Sequence, residues 1–393
     1  MTQVSSAFSQ LLQLFSRGEF ARAVREHSAE RHAKGFTCWG QFVAMLFCQL
    51  AHLKSLREVC MGLASCEAPL KHLGISKTPG KSTLAYANEH RPWELHQTIF
   101  GQLLAKCQAE VAVRGGRKKF RFKNKLMSLD GSIIDLSVSM FDWAKYKRTK
   151  GAIKLHLLLD HDGYLPSFAV VTEGKHSEVA IARSLPLEAG TSLVIDRGYN
   201  DYAWFEEMIA EGVFFVTRMK TNTVYAVEEE CAVPAQGNVL RDQIISLPAL
   251  RKAGEEPVLF RRIEYWNKDK HEILVFFTNL LHLAASTIAA IYKDRWQVEI
   301  FFKALKQTLK VKTFLGASAN AVKTQIWTAL IAMLIVKYVQ MKSTFGWSLS
   351  NLAAMLRHQF FIFRDLWAWL NAPWEGPPAA RQLGEQLPMP VIW

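Results

Sequence analysis

The chain is predicted to be an α/β protein: a sheet-based core carrying a β-rich insertion, preceded by an all-helical N-terminal domain. Three observations predict this. Up to about residue 112, apolar residues recur at helical spacing without strand-like alternation. From about residue 125, short β-type runs take over and then alternate with helical stretches. Between about 220 and 272 the chain turns polar and is punctuated by Pro234, Gly237, Pro248, Gly254 and Pro257, as an insertion would be.

In the N-terminal part, Phe8, Leu11, Leu12 and Phe15 fall on one helical face, and Trp39 to Leu53 is a strongly apolar helix. Ser55-Leu-Arg-Glu58 is a capping-box pattern that opens the next helix. Ser82 to Glu89 and Pro92 to Ala112 are predicted as further helices. Short helices joined by tight basic turns suit a helix-turn-helix type of DNA reader, with a helical cap or dimerisation bundle as the alternative. A domain of residues 1–113 is therefore expected to contact DNA. A basic run follows, Arg114, Arg117, Lys118, Lys119, Arg121, Lys123 and Lys125, interleaved with Phe120 and Phe122.

Strands are predicted at Lys125 to Val138, Ala152 to Asp160 and Tyr164 to Thr172, the last two joined by the His161-Asp-Gly163 turn. A helix at Ser177 to Leu185, a strand at Thr191 to Asp196, a helix at Tyr202 to Glu211 and a strand at Val213 to Thr217 come next. Three antiparallel strands and then helix-strand-helix-strand is the order of a ribonuclease-H-like α/β domain, placed at 114–345 with its insertion at about 220–272. The run Ile273 to Tyr292 reads as strand, loop and then a helix from Ser286, a plausible cap, to Lys310. Ala321 to Met341 is an apolar helix behind it, and 346–393 reads as a helical segment with a Pro-rich tail. Neither apolar stretch is expected to span a membrane. The first is interrupted by Asn279, His282 and Ser286, and the apolar run in the second, Ile326 to Val336, is too short.

The chain has 393 residues, half of them hydrophobic and 21% charged, which excludes wholesale disorder and allows two or three domains. Its formal net charge is +13, which points to a polyanionic partner, nucleic acid before membrane. Cys38, Cys48, Cys60, Cys66, Cys107 and Cys231 form no C-x-x-C pair and have no zinc-finger histidines, so they read as small buried residues in a reducing cytosol. The opening residues lack the basic and apolar regions of a signal peptide.

Asp130 sits where an apolar strand breaks to glycine, and Asp196 ends the strand LVID just before Arg197-Gly198-Tyr199. A carboxylate at a strand end is costly to bury unless it is paired or binds a metal. One such acid more often caps a turn; two in one sheet suggest a site. Glu299 lies in Tyr292-Lys-Asp-Arg295-Trp296-Gln-Val-Glu299, seven residues before Lys306. On one continuous helix Tyr292, Arg295, Glu299 and Lys306 would lie within roughly 60° of one another around the axis. The apolar residues Val298, Phe301, Phe302, Leu305 and Leu309 form a separate stripe. Carboxylates without a Cys/His cluster favour Mg2+ or Mn2+, two ions per site, and suit phosphoryl transfer.

Tyr-x2-Arg-x3-Glu-x6-Lys resembles the signature of one large group of DDE-type insertion-sequence transposases, the IS-four-like group with a Transposase DDE domain. Tyr292, Arg295, Glu299 and Lys306 match each position, and Trp296 and Phe301-Phe302-Lys303 are similar to that group. Asp196-x-Gly198-Tyr199 matches the pattern around its second aspartate, and Asp130-Gly131-Ser132 resembles the first-aspartate strand. The resemblance implies a catalytic and metal-holding triad of Asp130, Asp196 and Glu299, with Tyr292, Arg295, Lys306, Trp296 and Lys303 on DNA. It also implies cut-and-paste transposition on double-stranded DNA, both terminal inverted repeats and target, with two ends held by a homodimer in the bacterial cytoplasm at the nucleoid. A transposase-derived DNA-binding protein without cleavage activity is the alternative, and a two-carboxylate glycosidase would leave the net charge unexplained. Trp266 in the insertion would hold a flipped base if a hairpin forms. His176 and Glu178 are lesser candidates near the site.

Overall fold

Helices come first because the chain supplies both caps and apolar faces for them. The computed structural model describes residues 5–374, except 32, 34, 66, 115–118, 121, 137–144, 148–149, 174–177, 252–253, 255 and 310–313. The tail beyond residue 374, His176 and Lys310 lie outside the described residues. Ahead of the first strand come α1 (Ala7–Leu12), α2 (Arg17–Glu26), α3 (Cys38–Ala51), α4 (Leu56–Ala64), α5 (Glu67–His72), α6 (Lys81–His90) and α7 (Glu94–Val113). Ser6, Ser16, Thr37 and Ser55 each start one of the first four, their hydroxyls accepting from the amide three residues on. At Ser55 the predicted capping box is present in modified form: the Glu58 carboxylate accepts from the Lys54 amide at 2.8 Å.

The sheet strands are β1 (Leu126–Leu136), β2 (Lys145–Lys147), β3 (Lys150–Asp160), β4 (Leu165–Glu173), β5 (Ser192–Ile195) and β6 (Phe214–Arg218). Helix α8 (Glu178–Arg183) precedes β5, and α9 (Tyr202–Ala210) links β5 to β6. The insertion supplies β7 (Ala226–Glu230), β8 (Val239–Ser246) and β9 (Leu259–Asn267), and β10 (Glu272–Thr278) leads out of it. β1 pairs antiparallel with β3 and parallel with β5, β3 pairs antiparallel with β4, and β5 pairs parallel with β6. β10 adds antiparallel to β6 and carries β9, β8 and β7 outward. The insertion therefore continues the central sheet.

After β10 come α10 (Ala285–Asp294), α11 (Trp296–Leu309), α12 (Ala319–Lys342), α13 (Leu349–Gln359) and α14 (Leu366–Asn371). Two expectations change here. The helix starts one residue before Ser286, with Ala284 as its N-cap, so Ser286 is not the cap. The predicted single helix from Ser286 to Lys310 is broken at Arg295, where the Arg295 amide bonds Tyr292 O and the Val298 amide bonds Arg295 O, both three residues back. These i→i−3 bonds tighten the chain at the residue whose side chain, like that of its neighbour Asp294, is tied elsewhere.

One core, containing Ile134, Leu155, Leu157 and Leu165 from the sheet, joins the N-terminal helices to α11, α12, α13 and α14. The opposite face packs Met127, Leu129, Leu193 and Ile195 against Trp204, Phe205 and Met208 of α9. A third cluster seats α10 on Val194, Val216 and Phe276. Helix α12 is long and apolar enough to cross a membrane, but it is buried against α7, α3 and α11 in the first core. Each fully buried aliphatic side chain on it contributes about 1.5–3 kcal/mol.

Candidate active site

Strand alternation sets the first two acids side by side. Leu129 of β1 is in register with Ile195 of β5 on parallel neighbouring strands. Asp130 and Asp196 follow these partners and so stand next to each other, Asp130 midway along β1, not at the strand end its sequence context suggested, and Asp196 just past the end of the shorter β5. Residues two apart share a face, so Ser128, Asp130 and Ser132 project together toward the side covered by α10 and α11. Gly131 faces the other way, and a Cβ there would meet Lys154, His156 and the Tyr199 hydroxyl at 3.0–3.3 Å. That close approach is why glycine follows the acid.

An open cleft is lined by Asp130 and Ser132 from β1 and by Glu299, Phe302, Lys303, Lys306 and Gln307 from α11. Arg295 sits between the two elements. Its guanidinium donates to Glu299 at 2.5 Å and stands 3.6 Å from an Asp130 oxygen. Tyr292 donates its hydroxyl to Asp196 at 3.5 Å. Arg295 is mostly buried, and its Nε has no hydrogen-bond partner among the described residues. Burial disfavours the charged guanidinium, but Tyr292, Asp130 and Glu299 outweigh it and the pKa is raised.

The acids are not equivalent. Burial pushes Asp130 up to about 6; Arg295 and the Gly131 amide oppose the shift, and the neighbouring charges of Glu299 and Asp196 add to it. The Gly131 amide donates to Asp130 Oδ1 at 2.8 Å. Beneath the acids the Tyr199 ring is 1% exposed, and its hydroxyl is held above its ordinary pKa by burial and by Glu178, Asp130 and Asp196. Glu178 itself is paired with Lys154. Among the described residues, no three His, Cys, Asp or Glu side chains are gathered tightly enough to hold one metal ion; Glu299 is paired with Arg295.

The eight residues singled out from the sequence fall into three groups. Asp130, Glu299, Lys303 and Lys306 line the cleft; Asp196, Tyr292 and Arg295 adjoin it. Trp296 is 56% exposed beside the cleft and is not part of its lining. Trp266 lies on β9 and meets the His271 ring at 6.3 Å. Ser132 and Gln307 were missed. Ser132 was findable, being two residues from Asp130 on a strand. Gln307 carried no signal beyond its place next to Lys306.

The family description "Transposase DDE domain" matches residues 121–335, and a domain of unknown function matches residues 3–76. The chain is similar to a putative transposase of Sinorhizobium fredii, at 31% identity over 66% of this chain and 71% of that protein. It is also similar to a probable transposase for insertion sequence element IS5377 of Geobacillus stearothermophilus, at 27% identity over 70% of this chain and 72% of that one. Among solved structures, the piggyBac transposase synaptic complex with hairpin DNA aligns at TM-score 0.44 and 10% identity, over 94% of this chain and 82% of that one.

Proposed function

Because this chain belongs to the family of DDE-type insertion-sequence transposases, we propose that it binds the terminal inverted repeats of its own element and cuts and rejoins DNA there. The observation that carries this reading is the single cleft in which Asp130 faces Glu299, Lys303 and Lys306, with Asp196 and Tyr292 alongside. The strand order β4-β3-β1-β5-β6, antiparallel through the first three and parallel through the last three, supports a ribonuclease-H-like core. Residues 1–113 would contact the DNA ends, and two copies would hold two ends together.

Asp130, Asp196 and Glu299 would hold Mg2+ or Mn2+, two ions per site. The donor set fits in kind: all are hard oxygens, and two, Asp130 midway along β1 and Asp196 just past the end of β5, are adjacent acids whose mutual repulsion a cation would relieve. Bound there, such ions activate a water or 3′-hydroxyl and stabilise the departing oxygen. The chain's own residues do the rest. Lys303 and Lys306 hold phosphates of the strand along one wall of the cleft. Arg295 offsets part of the charge of Asp130 and Glu299, and with Tyr292 it meets the backbone at the cleaved end. Trp296, exposed one residue on, offers a flat apolar face to the DNA.

The test uses a plasmid carrying the gene with its native flanking DNA, purified protein and Mg2+. Cleavage at the element ends is expected. Asp196→Asn should abolish it while gel shifts of the ends persist, because binding rests on phosphate contacts elsewhere. Equal loss of binding and cleavage would contradict the division of roles. Binding by the wild type without cleavage in Mg2+ or Mn2+ would favour the non-cutting alternative.

A further inference from the structure

The break between α10 and α11 has a buried polar network behind it that the cleft does not use. Asp294, the last residue of α10, is 2% exposed. A carboxylate at a helix C-terminus opposes the dipole, and burying it costs more still. Three donors from elsewhere in the fold offset that. Lys119, from the basic run ahead of β1, pairs with one oxygen. His161 Nδ1 lies 2.6 Å from the other oxygen, and the Tyr164 hydroxyl donates to it at 3.1 Å. Burial alone would raise the Asp294 pKa, but the hydrogen bonds from His161 and Lys119 outweigh it and hold it below the usual range.

His161 carries the connection to the sheet. Its Nε2 lies 2.6 Å from the Ser128 hydroxyl on β1, and its amide donates to Leu126 O at 3.0 Å. With Nδ1 protonated and facing Asp294, Nε2 is the acceptor for the serine proton. A Ser-His-Asp line resembles a nucleophile relay, but Ser128 is fully buried and no substrate can reach it. Its position says what it does instead. Ser128 is two residues from Asp130 on the same strand face, and Asp294 adjoins Arg295. The links therefore close a ring: β1, Ser128, His161, Asp294, Arg295, Asp130 and back to β1.

We infer that Ser128, His161 and Asp294 are positioning residues that lock the joint between α10 and α11 onto β1 and so fix where Arg295 and Glu299 stand relative to Asp130. This rests on the reading of Asp130, Asp196 and Glu299 as the catalytic acids. Pinning a helix joint through buried, directional bonds is what keeps a catalytic constellation within a fraction of an ångström, where small displacements cost about 100-fold in rate.

The experiment compares Ser128→Ala, His161→Ala, His161→Gln and Asp294→Asn, and the double variants that combine Ser128→Ala or Asp294→Asn with His161→Ala, in the full-length protein. Ser128→Ala removes one hydroxyl and is the variant least able to disturb folding. Cleavage of the native element ends is followed alongside end affinity, thermal melting and the 19F resonance of 5-fluorotryptophan at Trp296, assigned with Trp296→Phe. Turnover should fall about 10- to 100-fold in His161→Ala, with end affinity within about threefold and the Trp296 resonance shifted. His161→Gln, whose amide can still meet both neighbours, should recover part of the rate. Ser128→Ala and Asp294→Asn should each add little on top of His161→Ala, because they break the same chain. An unshifted resonance with wild-type turnover in His161→Ala overturns the inference, as does a rate loss that only tracks melting. Failure of the catalytic reading would be separate: Asp196→Asn, run in parallel, would still cut.

Discussion

Two largely buried arginines, one on the sheet and one at a helix joint beside it, are satisfied in opposite ways. Arg261, on β9 in the insertion, meets Asp242 through two bonds of 2.7 and 2.6 Å and also donates to the carbonyls of Leu281 and Leu283. Four of its five N–H groups are bonded within the protein, and the hydrogen bond to Asp242 leads the effects that raise its pKa. Arg295, at the cleft, makes one short bond to Glu299, reaches Asp130 only at 3.6 Å and leaves Nε without a partner among the described residues. The first pair closes on itself and holds β8, β9 and the segment after β10 together. The second is left open at a place where the chain gathers three acids and two lysines. A charge satisfied internally serves the fold, whereas Arg295 is held by a single short bond between two acids at the edge of a cleft.

The largest expected effect tests the closed pair. Arg261→Ala leaves Asp242 buried and unpaired, and urea unfolding should show a loss of about 3–5 kcal/mol. Arg295→Ala should cost far less stability, because Asp130 and Glu299 keep contact with solvent, yet it should cost most of the cleavage rate. If the two variants lost stability equally, the distinction between the arginines would fail.

A second expectation concerns a buried group with neither solution. His96 on α7 is 1% exposed, both ring nitrogens lack partners among the described residues, and burial, helped by Arg91, lowers its pKa to about 4. The folded state thus prefers the neutral ring, while the unfolded chain takes up a proton near pH 6.5. Its contribution to stability is complete above about pH 6.5 and is lost as pH falls toward 4, by up to about 3 kcal/mol. Melts of the wild type should show that decline and His96→Leu should lack it. Parallel curves for the two would show that His96 is partnered after all.

The smallest effect lies on the exposed wall of the cleft. Lys306→Ala should leave stability within about 0.5 kcal/mol and flatten the salt dependence of end binding by roughly one phosphate contact. An unaltered slope would remove Lys306 from the DNA path.

The local patterns of the chain determined its elements. Alternation predicted β1, β3, β4, β5 and β6 to within a few residues, and helical spacing predicted α3, α6, α7, α9 and α12. The candidate site residues could be named from short stretches of chain too, although Asp130 stands midway along β1 rather than at a strand end and the line from Tyr292 to Lys306 crosses the helix break at Arg295. What only the tertiary structure decided involves partners far apart in sequence. β10 binding to β6 makes the insertion part of the central sheet. The helix breaks at Arg295 with no proline or glycine to announce it, at the point where Asp294 and Arg295 are tied to the sheet. Ser128 and His161 looked like an ordinary strand and turn residue until folding brought them to Asp294. Periodicity reports which face of an element is buried. It carries no information about which distant donor will satisfy a buried charge, because that depends on the relative placement of whole elements.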